Sequence, residues 1–286
     1  MRYRCIHRRR YQYAVRMMCR LLKVSRSGYY DWCNRRESAR AIRDRELARL
    51  IGQLHLESNG VYGARRLHRE LLELGEDCGR HKVARIMRKG GLKGCPKRRF
   101  RRSASSPPSH PVAANLLEQD FSATRIDERW SSDITFIGTR QGWLYLAIVM
   151  DLYSRRIVGW SMDRTISRYL VVDAMVMALG QRDKPMVHHS DRGAQYTSDD
   201  FRNLLETNGI QCSMSGRGNC YDNAPVESFF ASLKRERVRR QTYKTREEAK
   251  ADVFDYIECF YNRKRRHTYL GYISPVEFEN RSVGLN

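Results

Sequence analysis

The stretch WSSDITFIGTRQGWLYLAIVMDLYSRRIVGWSM, residues 130–162, decides the fold of this 286-residue chain. Ile134 and Phe136 alternate with polar residues, as in a β-strand. Residues 143–150 (WLYLAIVM) form an apolar run of the length of a buried strand. Residues 156–162 (RIVGWSM) have the residue pattern of a third strand. The stretch therefore predicts three consecutive β-strands.

The sequence after these strands alternates between helical and strand patterns. The predicted elements are helices at 169–179, 199–208, 224–240 and 246–262, and short strands at 185–189 and 210–214. Three strands, then helix, strand, helix, strand and helix is the order of a ribonuclease-H-like α/β domain. The predicted fold class is α/β: a ribonuclease-H-like core, with a mixed five-stranded sheet and flanking helices, preceded by small all-α helix-turn-helix modules.

The net charge of +22 and the sequence pI near 10.0 indicate a polyanionic partner, for which nucleic acid is the usual candidate. The basic residues are concentrated in the first third of the chain. Residues 1–110 hold 29 Lys or Arg against 9 Asp or Glu, whereas residues 111–286 hold 25 against 23. We therefore expect the first third to bind phosphates and the remainder to be a folded domain with an acidic site of its own.

Two groups of short helices are predicted in the basic third. In residues 12–32, Ser25 is placed as the N-cap of the second of two short helices, an arrangement typical of a helix-turn-helix. Residues 42–93 predict three helices, the second ending at Gly75 and the third basic on its outer face. Residues 94–112 are rich in Pro, Ser and Arg without an apolar period, which indicates a linker. Any basic helical hairpin would show the pattern of residues 12–32, and for residues 42–93 a solvated basic face on a small bundle is the alternative to DNA binding.

Other features of the sequence argue against several classes of protein. No run of about 18 apolar residues is present, so a transmembrane helix is not expected, and no signal-peptide pattern follows the charged N-terminus. Among the eight cysteines no pair is separated by two residues, so the usual zinc spacing is missing and reduced thiols are expected. These observations predict a cytoplasmic protein.

Three carboxylates have settings that favour a metal site. Asp133 lies inside the first strand, where an Asp is unfavourable unless a cation compensates it. Asp191 ends the strand at 185–189, at the edge where ligands bind in open α/β sheets. Glu227 falls in the first turn of a helix that follows an Asn223 cap. Mg²⁺ prefers oxygen ligands, and two such ions can activate the attacking oxygen and stabilise the leaving oxygen at a phosphodiester.

A structural role for each acid is the alternative. Asp133, taken alone, fits an N-cap or a salt-bridge partner equally well. Asp151, at the end of the WLYLAIVM strand, is a rival candidate, and we interpret it as the ion-pair partner of Arg155 or Arg156.

The spacing of the acids and the sequence around them carry a family resemblance. Thirty-five residues lie between Asp191 and Glu227, which resembles the signature of the retroviral integrase superfamily. The surrounding sequence resembles, more closely, the orfB-type transposases of bacterial insertion sequences. The matching stretches are WSSDIT (130–135), GWLYLA (142–147), DLYSRRIVGW (151–160), HSDRGAQY (189–196), GNCYDNAPVESFF (218–230), YNRKRRH (261–267) and LGYISP (270–275), and YGARR (62–66) resembles the family's central helix-turn-helix.

The resemblance implies a DDE-type transposase, which cleaves DNA at insertion-sequence ends and transfers the strands. It implies that Asp133, Asp191 and Glu227 hold two Mg²⁺ ions, with Mn²⁺ as a substitute. It also implies that Lys234, on the same helix face as Glu227, holds the phosphate beside the scissile bond. The predicted domains are 1–40 (basic helix-turn-helix-like), 41–93 (second helix-turn-helix-like module), 94–124 (basic Pro/Ser-rich linker) and 125–286 (integrase-like catalytic core with C-terminal helices).

Further basic side chains are predicted to contact DNA beside Lys234. They are Arg192, Arg65, Arg66, Lys82, Arg85, Arg88, Lys97, Arg98 and Arg99. The predicted partner is double-stranded DNA, both element ends and target. A homo-oligomer on DNA is expected, because transposition brings two ends together.

In the family resembled, the active enzyme is usually a frameshift fusion with an upstream product that carries a helix-turn-helix and a leucine zipper. No sustained heptads occur in this sequence, so an upstream-frame partner is expected. Two other functions fit part of the pattern. One is a ribonuclease-H-like nuclease without strand transfer, and the other is a non-catalytic DNA-binding regulator of transposition.

Overall fold

A computed structural model describes residues 1–96, 113–216 and 223–284 of the chain. The helices are α1 (Arg2–Arg9), α2 (Val15–Leu21), α3 (Arg26–Asn34), α4 (Ala39–Glu57), α5 (Ala64–Glu73), α6 (Arg80–Lys89), α7 (Arg168–Leu179), α8 (Asp199–Thr207), α9 (Ala224–Glu236), α10 (Arg246–Phe254) and α11 (Pro275–Val283). The strands are β1 (Arg129–Thr139), β2 (Gly142–Asp151), β3 (Ile157–Asp163), β4 (Val187–Ser190) and β5 (Gln211–Met214). The predicted DNA contacts Lys97, Arg98 and Arg99, and most of the predicted linker, lie outside the described residues.

The strands form one mixed sheet in the order β3-β2-β1-β4-β5. Neighbours β1 and β2, and β2 and β3, are antiparallel, whereas β4 runs parallel to both β1 and β5. The predicted mixed five-stranded sheet with flanking helices is therefore confirmed. The helix predicted at 224–240 ends at Glu236, and a short 3-10 helix, Val238–Arg240, follows it.

The two faces of the sheet are buried under different helices, because the apolar run in β2 has no polar alternation. On one face Ala147 and Val149 pack in a cluster with residues of α7 and α8. On the other face Leu146 and Ile148 pack in a cluster with residues of α9 and α10, which continues into α4, α5 and α6. The three-helix group of residues 39–89 thus shares its apolar core with one side of the sheet.

Helix α7 approaches β3 closely at Gly159. A Cβ at this position would lie 2.2 Å from the carbonyl oxygen of Ala174 and 2.8 Å from the Cβ of Ala178. Such contacts are too short for any side chain, so only glycine allows this packing.

The N-terminal helices α1, α2 and α3 form a small bundle around Ile6, Met18 and Tyr29. The predicted N-cap is confirmed: the Ser25 Oγ accepts a hydrogen bond from the Gly28 amide at 3.2 Å. Helix α1 was not predicted, because Ile6 is its one buried residue and so leaves no apolar period to detect.

Helices α4, α5 and α6 confirm the three helices predicted in residues 42–93, and Gly75 lies just beyond the end of α5 with φ +78°. This group docks on the C-terminal part of the chain through Tyr62. Its hydroxyl donates to the Lys264 carbonyl at 2.9 Å and accepts from the Arg266 amide at 2.8 Å. Within the described ranges, every helix is too short or too polar to cross a membrane.

Candidate active site

The strand register brings Asp133 and Asp191 together. In the parallel pair β1 and β4, Ser131 lies opposite His189, and Asp133 and Asp191 each follow two residues later. Because neighbouring parallel strands keep their register, both carboxylates leave the same end of the pair. Asp191 lies just beyond β4, as its prediction at a strand end requires.

The N-terminus of α9 is fixed to β1 by Asn223. The Ser131 hydroxyl donates to the Asn223 Oδ1 at 2.7 Å, and the Asn223 Nδ2 donates to the Ser132 carbonyl at 2.9 Å. Asn223 occupies the predicted cap position, but its side chain makes no capping bond to the helix, so this part of the prediction is wrong. The bonds to β1 place the first turn of α9, with Glu227, beside Asp133.

The negative charges of Asp191 and Glu227 act on Asp133. The pKa of Asp133 is raised from 3.8 to about 8, first by burial and further by the negative charges of Asp191 and Glu227. Part of the Asp191 side chain reaches solvent, yet the surrounding protein removes enough water to raise its pKa. The Gly193 amide donates to the Asp191 Oδ1 at 2.9 Å and opposes that rise. Mutual repulsion of this kind is what a bound cation relieves.

The donor chemistry fits a hard divalent cation, since all three groups are carboxylates. As arranged, no three carboxylate, imidazole or thiol groups in the described ranges converge on one ion-binding point. Asp191 and Glu227 are close enough for their charges to act on Asp133, and side-chain rotation would be needed for the three carboxylates to converge on one ion.

Lys234 lies beside the carboxylates, as its spacing from Glu227 predicts. Its positive charge lowers the pKa of Asp133, and its Nζ lies 4.6 Å from the centroid of the Phe136 ring. Burial lowers the pKa of Lys234, the charge of Arg239 lowers it further, and Asp133 opposes both. An ammonium in this position is suited to pair with a phosphate that approaches Asp133.

The other predicted DNA contacts have different surroundings. Arg192 donates from its Nε to the Ser215 carbonyl at 2.6 Å, which anchors it next to Asp191. Arg65 and Arg88 are exposed.

The remaining predicted contacts in the helical group are engaged with acids. Lys82 and Arg85 lie 3.4 and 2.8 Å from the carboxylate of Asp44. The Arg66 side chain is 19% exposed and its Nη1 lies 3.8 Å from Glu236, so Arg66 packs the helical group against α9 instead of facing solvent.

The prediction that Asp151 pairs with Arg155 or Arg156 is wrong. Its Oδ2 accepts hydrogen bonds from the Ser154 amide at 2.8 Å and the Ser154 hydroxyl at 2.6 Å. Arg156 instead pairs with Glu279 at 2.6 Å. The turn after β2 brings Ser154 closer than either guanidinium, and burial raises the pKa of Asp151 to about 6. Asp151 therefore stabilises this turn.

Comparison with protein families matches two models described as "Integrase core domain", at residues 123–220 and 227–283. A third, described as "HTH-like domain", matches residues 41–100. Over 99% of its length the chain is 42% identical to the transposase InsF for insertion sequence IS3A of Escherichia coli strain K12, all of which is covered. It is also 42% identical to a 31 kDa protein of insertion element IS600 of Shigella sonnei, with 92% of this chain and 98% of that protein covered.

Retroviral integrase cores of known structure align with part of the chain. The catalytic core domain of HTLV-2 integrase, in complex with magnesium in its trimeric form, aligns with a TM-score of 0.44 at 14% identity, covering 55% of this chain and 99% of that one. The catalytic core domain of BIV integrase aligns with a TM-score of 0.43 at 19% identity, covering 56% of this chain and 97% of that one.

Proposed function

Since the chain belongs to the IS3 family of insertion-sequence transposases and is a transposase with an integrase core, we propose that Asp133, Asp191 and Glu227 are its catalytic carboxylates. Two divalent cations held there, Mg²⁺ or Mn²⁺, would supply activation of the attacking oxygen and stabilisation of the leaving oxygen. The observation that carries this proposal is the strand register, in which Asp133 and Asp191 follow the paired residues Ser131 and His189 by two positions. Asp191 and Glu227 are close enough for their negative charges to raise the pKa of Asp133 beyond the effect of burial.

The chain's own residues prepare the site for a phosphodiester. Asn223 holds the start of α9 on β1, so Glu227 stays beside Asp133 without a contribution from substrate. Lys234 supplies a positive charge on the same side, where it would pair with a non-bridging phosphate oxygen. The protein thereby orients the scissile bond, first for attack by water at an element end and then for attack by the 3′-hydroxyl on target DNA.

The basic surface of the helical group would hold the flanking double-stranded DNA. Arg65, Arg85 and Arg88 are the exposed predicted contacts of the helical group, and Arg192 lies beside Asp191. The proposed assembly is a homo-oligomer on two element ends, formed with the upstream-frame product as a frameshift fusion. The proposed domains keep the boundaries predicted from the sequence, which are 1–40, 41–93, 94–124 and 125–286. The linker, 94–124, separates the helical group from the core.

A strand-transfer assay tests the proposal. The chain, alone and fused to the upstream-frame product, is incubated with labelled element-end DNA and Mg²⁺, and cleaved and joined products are resolved. Asp191→Asn keeps the size of the side chain and removes its charge. We expect it to lower the rate on the order of 10³-fold, equivalent to about 4 kcal/mol of transition-state stabilisation. Asp199→Asn, on an aspartate whose side chain is 82% exposed, is the matched control and should leave the rate unchanged.

The outcomes separate the possible functions. Normal activity of Asp191→Asn would remove the metal assignment. Cleavage without any joined product would indicate a nuclease. DNA binding without metal-dependent cleavage, with and without the fusion, would indicate a regulator.

A further inference from the structure

Two aromatic rings on strands β1 and β2 lie exposed and in contact with each other. Phe136 on β1 and Trp143 on β2 are each 53% exposed. Their ring centroids are 5.0 Å apart with an interplanar angle of 78°, an edge-to-face contact. Large apolar groups that stay in contact on the surface often mark a binding site.

The geometry of the sheet accounts for one ring of the pair. Trp143 lies opposite Gly138 in the β1–β2 register, and a Cβ on Gly138 would lie 3.4 Å from the Trp143 ring. The indole therefore covers a glycine, a known way to stabilise a strand. The described sheet pairs β4 with β1 only through Arg129–Ser131, so Phe136 lies beyond the end of that pairing. Cover of Gly138 explains the position of Trp143 but gives no reason for the exposed ring of Phe136.

Two basic side chains lie against the residues of this aromatic pair. The Lys234 Nζ lies 4.6 Å from the Phe136 ring centroid, and the Arg246 Nε donates to the Trp143 carbonyl at 3.0 Å. Arg239 is close enough for its charge to act on Lys234. Exposed aromatic faces beside positive charges are the arrangement that binds single-stranded nucleic acid, since bases stack on the rings and phosphates pair with the cations.

Lys234 connects the pair to the proposed centre, because its Nζ lies 4.6 Å from the Phe136 ring centroid and its charge acts on Asp133. Phe136 follows Asp133 by three residues on the same strand, about 10 Å along β1. We propose that Phe136 and Trp143 form a stacking site for unpaired bases next to the scissile phosphate, with Lys234 and Arg246 beside them for the backbone. This inference rests on the proposed function, because it takes DNA at Asp133 as the ligand.

A second edge-to-face pair on the core provides a contrast. Trp160 and Phe254 lie 5.9 Å apart at 72°, and Phe254 is 48% exposed. The Trp160 Nε1, however, donates to the Glu258 carboxylate at 2.8 Å, which places a negative charge beside the rings. This pair resembles the first in ring geometry, and Phe254 is exposed to a similar extent as Phe136. Because the pair is unsuited to phosphate, Phe254 supplies the matched control.

Binding without metal ions tests the stacking site separately from catalysis. Fluorescence anisotropy of the full chain is measured at elevated salt with a dye-labelled single-stranded oligodeoxyadenylate and with a duplex of the same length. The double variant Phe136→Leu, Trp143→Leu keeps apolar volume and removes the aromatic faces. We expect a loss of about 5- to 150-fold in affinity for the single strand and less than about twofold for the duplex. Phe136→Tyr and the control Phe254→Leu should both bind as the wild type.

Tryptophan emission gives a local readout. Stacking on Trp143 should quench part of the emission when the single strand binds, and Trp143→Phe should abolish that part. Equal losses for single strand and duplex, or wild-type binding by the double variant, would overturn the proposal. Mass photometry checks whether the double variant changes its oligomeric state. If it does so while single-strand binding stays intact, the pair is a contact between copies of the chain, which would also overturn the proposal.

The two proposals fail in different ways. If the wild type binds and quenches with the single strand but never cleaves element ends with Mg²⁺, the proposed function fails and the stacking site stands. If cleavage and joining are normal while the aromatic variants bind as the wild type, the stacking site fails and the proposed function stands.

Discussion

Glu236, at the end of α9, offers the sharpest test of how the helical group is fixed to the core. Its side chain is 1% exposed and receives the Arg265 guanidinium through two bonds, at 2.7 and 2.8 Å. The Tyr256 hydroxyl donates to it at 2.9 Å, and Arg66 from α5 lies 3.8 Å away. We predict that Glu236→Gln, which keeps the size of the side chain, strongly destabilises the fold, because Arg265 is left buried without its counter-charge.

Two estimates of the loss agree. Burial alone would raise the pKa of Glu236, but the bonds and charge of Arg265 outweigh it and hold the pKa at about 2, against an ordinary 4.5. That difference corresponds to about 3 kcal/mol. Removing one member of a buried ion pair typically destabilises a protein by about 3–5 kcal/mol. We therefore expect the free energy of unfolding to fall by about 3 kcal/mol or more at neutral pH.

The pH dependence has a defined sign. Because the pKa is lower in the folded state, the stabilisation by Glu236 is complete above pH 4.5 and is lost as the pH falls from there towards 2. The difference between wild type and Glu236→Gln should therefore shrink by about 1.4 kcal/mol between neutral pH and a pH of about 3.5.

Urea unfolding at both pH values measures these differences. Glu277→Gln is the control, since the Arg281–Glu277 pair is about half exposed and should contribute less than about 1 kcal/mol. A loss below about 1 kcal/mol in Glu236→Gln, or a difference from wild type that does not change with pH, would refute the reasoning.

The remaining predictions concern the site and the sheet. Asn223→Ala should slow strand transfer roughly tenfold or more and raise the Mg²⁺ concentration needed for half-maximal rate, because buried groups of β1 lose their partner. The control Asn208→Ala, which removes a hydrogen bond at the end of α8, should leave the Mg²⁺ requirement unchanged. If both variants raised the Mg²⁺ requirement equally, Asn223 would not be a positioning residue. Gly159→Ala should destabilise the core by about 1–3 kcal/mol in urea unfolding, because its Cβ would overlap α7. Gly52→Ala, in the open interior of α4, should stabilise it by about 1 kcal/mol, and a tolerated Gly159→Ala would show that α7 can move away.

The sequence predicted the sheet because its signals are local. The apolar run of β2, the strand that carries Asp133 and the strand end before Asp191 depend on neighbouring residues alone. Asp151 shows the limit of prediction from neighbouring residues. The basic residues next to it in sequence, Arg155 and Arg156, were predicted as its partners, but in the folded turn Ser154 donates the hydrogen bonds. Alternation along β1 would likewise bury Phe136, which the structure exposes.

Contacts between distant segments could not be predicted. The bonds of Asn223 to β1 join residues 91 and 92 positions apart, and no local period reports them. The one available signal was a pair of serines before Asp133 in a strand, which must find partners when buried. Arg66 was predicted to contact DNA because its neighbours are basic, whereas its position against Glu236 follows from the docking of α5 on α9.

The two ends of α9 are fixed by different parts of the chain, and Glu227 and Lys234 lie between them. The thirteen residues from Ala224 to Glu236 span about 20 Å. Asn223 holds one end to β1, and the bonds from Arg265 to Glu236 hold the other beside the helical group. A helix held at one end can pivot, whereas a helix held at both ends keeps its direction and its rotation about its axis. Because the helical group packs against the second end, DNA bound to that group would be held in a set position relative to the carboxylates before any metal or substrate contributes.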